Sequence, residues 1–310
     1  VIPEGSPTNS STLEVYFSVS GKKQEVACQL DGKAPGPCKS PVIFTELGSG
    51  SHTLAITGDS GGIAAAYAWV IDKTSPEINF IETPNGVTNE TSAQFAFQAN
   101  EAASFQCALD DQGFTNCESP IRFNNLSEGS HQFSVRASDA VGNGSQVKSY
   151  LWQIDTTSPS VTFLGATPAQ RISNIGDLSV SFAASEPSTF LCGVDDGSVI
   201  ACSSPFQVQN LAEGGHSVSV VATDQAGNIG SPMRYEWKID LTPPSVTVHM
   251  MAPVSLPAHD TSATFDIIAN ELGALTCYLD GHAVDPCVAP LQLTNLGEGM
   301  HRFEVAPVDL

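Results

Sequence analysis

Eight cysteines fall into four pairs with one spacing: Cys28/Cys38, Cys107/Cys117, Cys192/Cys202 and Cys277/Cys287, each ten positions apart. A proline follows the second cysteine by three (Pro41, Pro120, Pro205, Pro290), and a histidine follows it by fourteen (His52, His131, His216, His301). Spacings that hold through four copies without slippage mean a tandem array of one module. The first cysteines lie 79, 85 and 85 residues apart. A unit of that length can bury its own core, and is too long for a solenoid turn that folds only against its neighbours.

Eight cysteines in equivalent pairs read as four disulfides within modules, and so as an oxidising compartment. Zinc is the rival reading, but one pair per module at this spacing lacks the close pairs of a zinc site. Thirty-three acidic against twelve basic residues give a formal charge of -21. Such a surface repels phosphates, which argues against nucleic acid and against an anionic membrane. No apolar run reaches membrane-span length, so no membrane insertion is expected of these residues. With Val1 at the start and Leu310 inside a repeat, the expectation is a piece of a longer secreted protein.

The pattern between the cysteines predicts strands. Leu13-Val15-Phe17-Val19, Ala93-Phe95-Phe97-Ala99, Leu178-Val180-Phe182-Ala184 and Ala263-Phe265-Ile267-Ala269 alternate strictly with other residues. Period two means one face on a core and one in water. The next strand carries the first cysteine inward, as in Phe105-Cys107-Leu109, and ends at Asp31, Asp110, Asp195 or Asp280, each marking a turn. The second cysteine then staples the returning segment to this strand. A strand opened by the histidine follows, and a last strand places Tyr67-Trp69-Ile71, Tyr150-Trp152-Ile154 or Tyr235-Trp237-Ile239 on one face. No window carries a helical stripe, and about seven short strands per repeat imply an all-β chain of tandem immunoglobulin-like β-sandwich modules forming an elongated rod. The expected modules are 1–72 (opening strand missing), 77–155, 160–240 and 245–310, the last without its final strand and therefore open-edged. Proline-ended linkers of about four residues (Asp72–Pro76, Asp155–Pro159, Asp240–Pro244) limit the freedom between them.

The phrases Phe-x-Cys-x-Leu-Asp, Cys-x-Ser-Pro, Leu-x-Glu-Gly-x-His-x-Phe-x-Val-x-Ala-x-Asp-x-x-Gly-Asn and Trp-x-Ile-Asp-x-Thr-x-Pro resemble the Ig-like repeats of large bacterial surface proteins. The resemblance spans essentially the whole chain. The first copy departs from it, with Lys22 and Lys23 near where the others have Glu, and Asp-Ser-Gly-Gly at 59–62 in place of Asp-x-x-Gly-Asn. It implies an extracellular, adhesin-type protein that is secreted or held at the cell surface, and names no receptor. The partner expected is a surface protein or glycan, met by a monomeric rod.

The four histidines suggest catalysis or metal binding, but they stand in no usable constellation: there is no His-x-x-x-His, nucleophile elbow or phosphate loop. Each opens a strand after a glycine turn, where sandwich domains place a corner tyrosine, so a structural bond back to the main chain is expected. Trp69, Trp152 and Trp237 alternate with Tyr and Ile, which favours core packing against the disulfide hairpin over sugar stacking. The acids are less easily absorbed. In this topology the linker Asp meets two loops of the next module, so three sets should converge. They are Asp72, Glu101, Asp139 and Asn143; then Asp155, Glu186, Asp224 and Asn228; then Asp240, Glu271 and Asp309. All-oxygen ligands of this kind suit Ca²⁺, and similar junction sites are implied by the resemblance. The competing reading is that these Asp residues cap turns through their own side chains. Four Asn-x-Ser/Thr sites, at Asn9, Asn89, Asn125 and Asn143, matter only in a eukaryotic secretory pathway.

These readings point to a non-catalytic extracellular stalk that presents a distal domain or adheres. The alternatives are a glycan- or protein-binding module, whose site would be sought in the least regular repeat (Tyr278, His282 and the loop 249–260), or the accessory region of a secreted enzyme.

Overall fold

The computed structural model describes residues 6–19, 25–58, 62–195, 197–253, 256, 258–271 and 273–308. Lys22, Lys23, Asp309 and most of the segment 59–62 lie outside them. Every regular element among the described residues is a strand. No helix there is long and apolar enough to cross a membrane. The chain divides into two compact units, Val1–Thr156 and Thr157–Leu310, each holding two sandwiches.

The second sandwich shows the plan. One sheet orders Ile121–Phe123, Ala93–Ala99 and Ile78–Glu82; the other orders Thr115–Cys117, Ser104–Leu109, Gly129–Ser138, Lys148–Ile154 and Val87–Thr88. The pairings are antiparallel except the last, in which Val87 and Thr88 run parallel to Gln153 and Ile154. The alternation read from the sequence decides the faces: Ala93, Phe95 and Phe97 are buried, and from the facing sheet Cys107, Phe133, Val135, Trp152 and Ile154 join them. Phe95 stacks on Phe133 at 4.2 Å between centroids, and Trp152 meets Phe95 edge-on at 5.2 Å. The third sandwich repeats the order, with Leu178–Ala184 and Ser188–Val194 in the equivalent places.

The two remaining sandwiches are smaller. In the first, Leu13–Val15 pairs with Val42–Phe44 in a two-stranded sheet. In the fourth, His282–Val284, Ala274–Leu279 and Phe303–Val308 form three strands, and no described strand lies on the far edge of Phe303–Val308.

All four cysteine pairs are disulfides: Cys28–Cys38, Cys107–Cys117, Cys192–Cys202 and Cys277–Cys287, with Cα–Cα distances of 5.4–5.8 Å. No cysteine is free. Their two ends differ in setting. Cys107, Cys192 and Cys277 are buried in the core, whereas Cys38, Cys117, Cys202 and Cys287 are only half-buried. Cys117 and Cys202 close short strands, Thr115–Cys117 and Ile200–Cys202. Cys38 and Cys287 lie just past theirs, Gly36–Pro37 and His282–Val284, so in the first and fourth modules the staple holds a loop rather than a paired strand. A proline precedes each of these two cysteines, and its missing N–H cannot extend a ladder. Cys38 itself still donates its N–H to the Val26 carbonyl at 3.0 Å.

In the second module Cys107 sits opposite Thr115 and Phe105 opposite Cys117, so the bridge ties adjacent strands diagonally. The third repeats this, with Cys192 opposite Ile200 and Phe190 opposite Cys202. On the chain-entropy model so short a loop adds roughly 2–3 kcal/mol. Each module also has one cis peptide at the proline after its second cysteine, such as Ser119–Pro120.

Candidate functional site

Two constellations collect the polar residues of the repeat. The first lies wholly within each module. His131 Nδ1 is 3.0 Å from Asp110 Oδ2, and its Nε2 is 2.8 Å from the Ser127 carbonyl. Both ring nitrogens face acceptors, an arrangement that the protonated imidazolium satisfies in full because both of its nitrogens donate. Asp110 accepts a second bond from the Gln132 N–H with its other oxygen, at 2.9 Å. The Asp stands in the left-handed region, at φ 53°, a conformation that Asp and Asn tolerate better than most residues. It turns the chain back from the cysteine strand and points its carboxylate at the histidine strand.

The same clasp closes at His52–Asp31 (2.8 Å), His216–Asp195 (3.0 Å) and His301–Asp280 (2.7 Å), each with a carbonyl four residues before the histidine. All four imidazoles are held above the usual range. For His131 burial works downward, but the Ser127 carbonyl and Asp110 outweigh it. In three modules the ring also lies beside the repeat's tryptophan, at 5.4 Å for Trp69, 5.3 Å for Trp152 and 5.7 Å for Trp237. A cation over an indole adds attraction.

Thus the tryptophans are buried in the same core clusters as the cysteines of their modules, and each also lies beside the histidine. Trp152 pairs opposite His131, whereas Cys107 pairs opposite Val135, four residues further along. The Asp residues of the clasp were assigned in sequence only to a turn. Their constant separation of 21 residues from the histidine was the available signal. The cysteines belong to neither constellation. Cys28, Cys38, Cys107, Cys117, Cys192, Cys202, Cys277 and Cys287 spend their sulfurs on one another, and a bridged sulfur is neither a nucleophile nor a thiolate ligand.

The second constellation joins two modules of unit 1. Ligand oxygens of Asp72, Glu101 and Asp139 lie within 4.8 Å of one another. Asp72 comes from the linker, Glu101 from the loop after Ala93–Ala99, and Asp139 from the turn after the histidine strand. Asp139 is already engaged: Oδ1 accepts from the Val141 and Asn143 N–H groups at 2.9 and 2.8 Å, and Oδ2 from the Asn143 side-chain amide at 2.7 Å. Burial pushes this carboxyl up, yet the bonds from Asn143, Val141 and Gly142 prevail and hold it below the usual range. Asn143 therefore enters as a donor, not as the oxygen ligand expected; the same amide also reaches the Asp72 carbonyl at 2.9 Å. Its position four residues after Asp139 closes the turn on the carboxylate it serves. Glu101 is the outlier: its Oε1 is buried and has no hydrogen-bond partner. Leaving an ionised oxygen dry and unpaired is costly, so the three acids fit a cation.

In unit 2, Asp224 and Asn228 form the same turn, with Asn228 Nδ2 donating to Asp224 Oδ2 at 2.8 Å, so Asn228 also supplies a nitrogen. Glu186 belongs to that unit, and Asp155 to the other. Asp240 is paired with Lys238 at 3.0 Å, and that amine holds its carboxyl low. Glu271 again has a buried Oε1 without a partner. Asp309 lies outside the described residues.

Two opposed sheets, an eight-stranded Greek-key order and a core alternating from both faces define the module. Residues 202–269 match the family described as Bacterial Ig-like domain (group 3). The repeats are Ig-like. No curated protein matches the chain in sequence. Among solved structures the chain is similar to the fibronectin(III)-like modules of Clostridium thermocellum CbhA (15% identity, 53% of this chain and 94% of that one, TM-score 0.33). It is also similar to titin domains A168–A170 (12% identity, 76% and 96%, TM-score 0.37) and to titin I67–I69 (11%, 77% and 96%, TM-score 0.36). The match to the Ig-like family runs from Cys202, in the second half of the third repeat, into the fourth, across the proline-ended linker.

Proposed function

We propose that this chain is a non-catalytic structural and adhesive segment of an extracellular or surface protein, whose Ig-like modules are stapled singly and joined through calcium at the Asp72–Glu101–Asp139 junction. The observation that carries this reading is where the repeated chemistry goes. The repeat's cysteines, its four clasped histidines and the clasp aspartates are all engaged inside their own module. The acids of the linker and adjoining loops are what remains, and at the first junction one of them keeps a buried, unpartnered oxygen. A cation held by three carboxylates would neutralise them and fix the linker to the next module, because Ca²⁺ accepts irregular all-oxygen sets.

Calorimetric titration of the chelated chain with Ca²⁺, read beside its melting temperature, tests this. The expected outcome is saturable uptake with a higher melting temperature in excess calcium, both lost in Glu101→Gln. If wild type and Glu101→Gln respond alike, the acids are turn caps and the junction is not a calcium site.

A further inference from the structure

Chemistry common to every repeat answers to the fold; chemistry that one repeat adds does not. The third module adds charge to one sheet face. In Met233–Ile239 the side chains of Tyr235, Trp237 and Ile239 are buried, and those of Arg234, Glu236 and Lys238 are exposed on the other face. Their partners across the ladder are small: Ser219, Ser217 and Gly215. At the same register positions the second module has Ser149, Leu151 and Gln153, and the first has Ala66, Ala68 and Val70. Arg171 joins this face. Its carbonyl accepts from the Lys238 N–H at 2.7 Å, and its guanidinium lies 5.7 Å from the centre of the Tyr235 ring. In the second module the carbonyl that serves Gln153 in this way belongs to Gly86. Residues 160–240 hold three basic residues, Arg171, Arg234 and Lys238, and all three line one surface depression of ≈ 600 Å³. Lys238 is paired with Asp240. The arginines elsewhere are engaged: Arg122 by Asn124 and Ser92, Arg136 by Gln106, Arg302 by Glu304. Arg171 and Arg234 have no hydrogen-bond or carboxylate partner for their guanidinium groups among the described residues.

We infer that this depression binds an acidic sugar, a ring that carries one carboxylate and several hydroxyls. A guanidinium presents its N–H groups as a planar fork that matches a carboxylate, and two such forks stand here uncommitted. Glu236 and Ser217, on the same face, offer acceptors to sugar hydroxyls. Gly215 and Ser217 put no bulky side chain in the way of a ring. The volume falls within the range of about 300–1,000 Å³ usual for small-ligand sites. Charge selects against a polyanion. Eight acids against three bases leave residues 160–240 at a formal charge of -5, so a sulfated polymer or an acidic peptide would be repelled around a patch that a single carboxylate neutralises. The inference rests on the adhesive part of the proposed function, to which it gives a ligand class, and is independent of the calcium junction.

The test uses the full 310-residue chain, titrated in chelator and followed by saturation-transfer NMR. The probes are sialyllactose and a glucuronic acid disaccharide, each beside the same sugar with its carboxyl reduced to an alcohol. Saturable binding of at least one acid form is expected, with its reduced form weaker by about tenfold. Whichever acid binds identifies the source. Arg171→Gln and Arg234→Gln should each weaken binding by about tenfold, and both residues are exposed, so the core stays intact. Arg136→Gln, on the second module, should leave the affinity unchanged. Equal binding of the reduced sugars, unchanged affinity in both Arg171→Gln and Arg234→Gln, or no binding of either acid at millimolar sugar overturns the proposal. So does a hexaglutamate peptide that binds more tightly than the sugars at these arginines, since the face would then serve an acidic protein. Glu101→Gln, which breaks the calcium junction, should bind the sugar as the wild type does, so the two readings fail separately.

Discussion

The second and fourth modules share a disulfide, a clasped histidine and a stacked phenylalanine pair, yet differ in how completely those parts are covered. In the second, His131 is 6% exposed, Phe133 is fully buried, and Trp152 and Tyr150 meet its stacking partner Phe95 edge-on. In the fourth, no strand among the described residues lies over the counterparts His301 and Phe303. Identical local chemistry therefore has a different setting in each: the clasp needs only the Asp turn and the preceding carbonyl, whereas the core needs the strand that brings the tryptophan.

The sharpest way to break that contrast is to open the second module. Trp152→Ala should cost about 3–5 kcal/mol there, seen as a loss of amide protection confined to the second module in hydrogen exchange with mass-spectrometric readout. Protection falling equally in the fourth would mean the modules are not separately built.

Removing the staple should cost less. The pair Cys107→Ser and Cys117→Ser should lower the second module's stability by about 2–3 kcal/mol and leave it folded. Non-reducing mass mapping that found free thiols in the wild type would refute the bridges themselves.

His131→Gln comes next, at about 1–2 kcal/mol from the lost bonds of a charged donor, and its effect depends on pH. The imidazole binds its proton more tightly folded than unfolded, so its contribution is full below the unfolded value of about 6.5. It is lost as pH rises through the raised folded value. The gap between wild type and variant in urea melts should be widest near pH 5.5 and narrow on the alkaline side. A gap constant with pH would mean that the ring is neutral in the clasp. For Asp31, Asp195 and Asp280, held below the usual carboxyl range, the sign is opposite: their contribution is lost only as pH falls through the lowered folded values.

The smallest effect belongs to Ser119, whose hydroxyl oxygen accepts from the Phe97 N–H at 2.8 Å. Ser119→Ala should cost about 1 kcal/mol by urea melts. The fourth module has Ala289 at that place, so it already folds without the bond.

Much of the architecture was legible because it rests on spacing. Period-two alternation set which face of Ala93–Ala99 is buried, and the ten-residue interval brought Cys107 within reach of Cys117 on the returning strand. The same interval closed the bridges at Cys38 and Cys287, although there the returning strand stops short of the cysteine. Corner glycines and the turn-forming Asp residues marked where each strand had to end. Partnership was less legible. The sequence placed Trp152 in the core it shares with Cys107, but not beside His131, where the pairing of Gly129–Ser138 with Lys148–Ile154 sets it, because register depends on where two distant strands meet. Asn143 was read as an oxygen ligand, whereas the turn geometry presents its nitrogen to Asp139. Neither orientation is encoded in residue type.

By itself the sequence determined the repeat, the all-β class and the closed disulfide units, since these follow from local periodicity and short-range spacing. Only tertiary structure decided that each histidine is clasped by an aspartate 21 residues earlier, and that Glu101 keeps a buried oxygen without a partner beside Asp72 and Asp139. Those outcomes depend on which backbones lie side by side and on what water can reach, and both are set when the sheets close over the core.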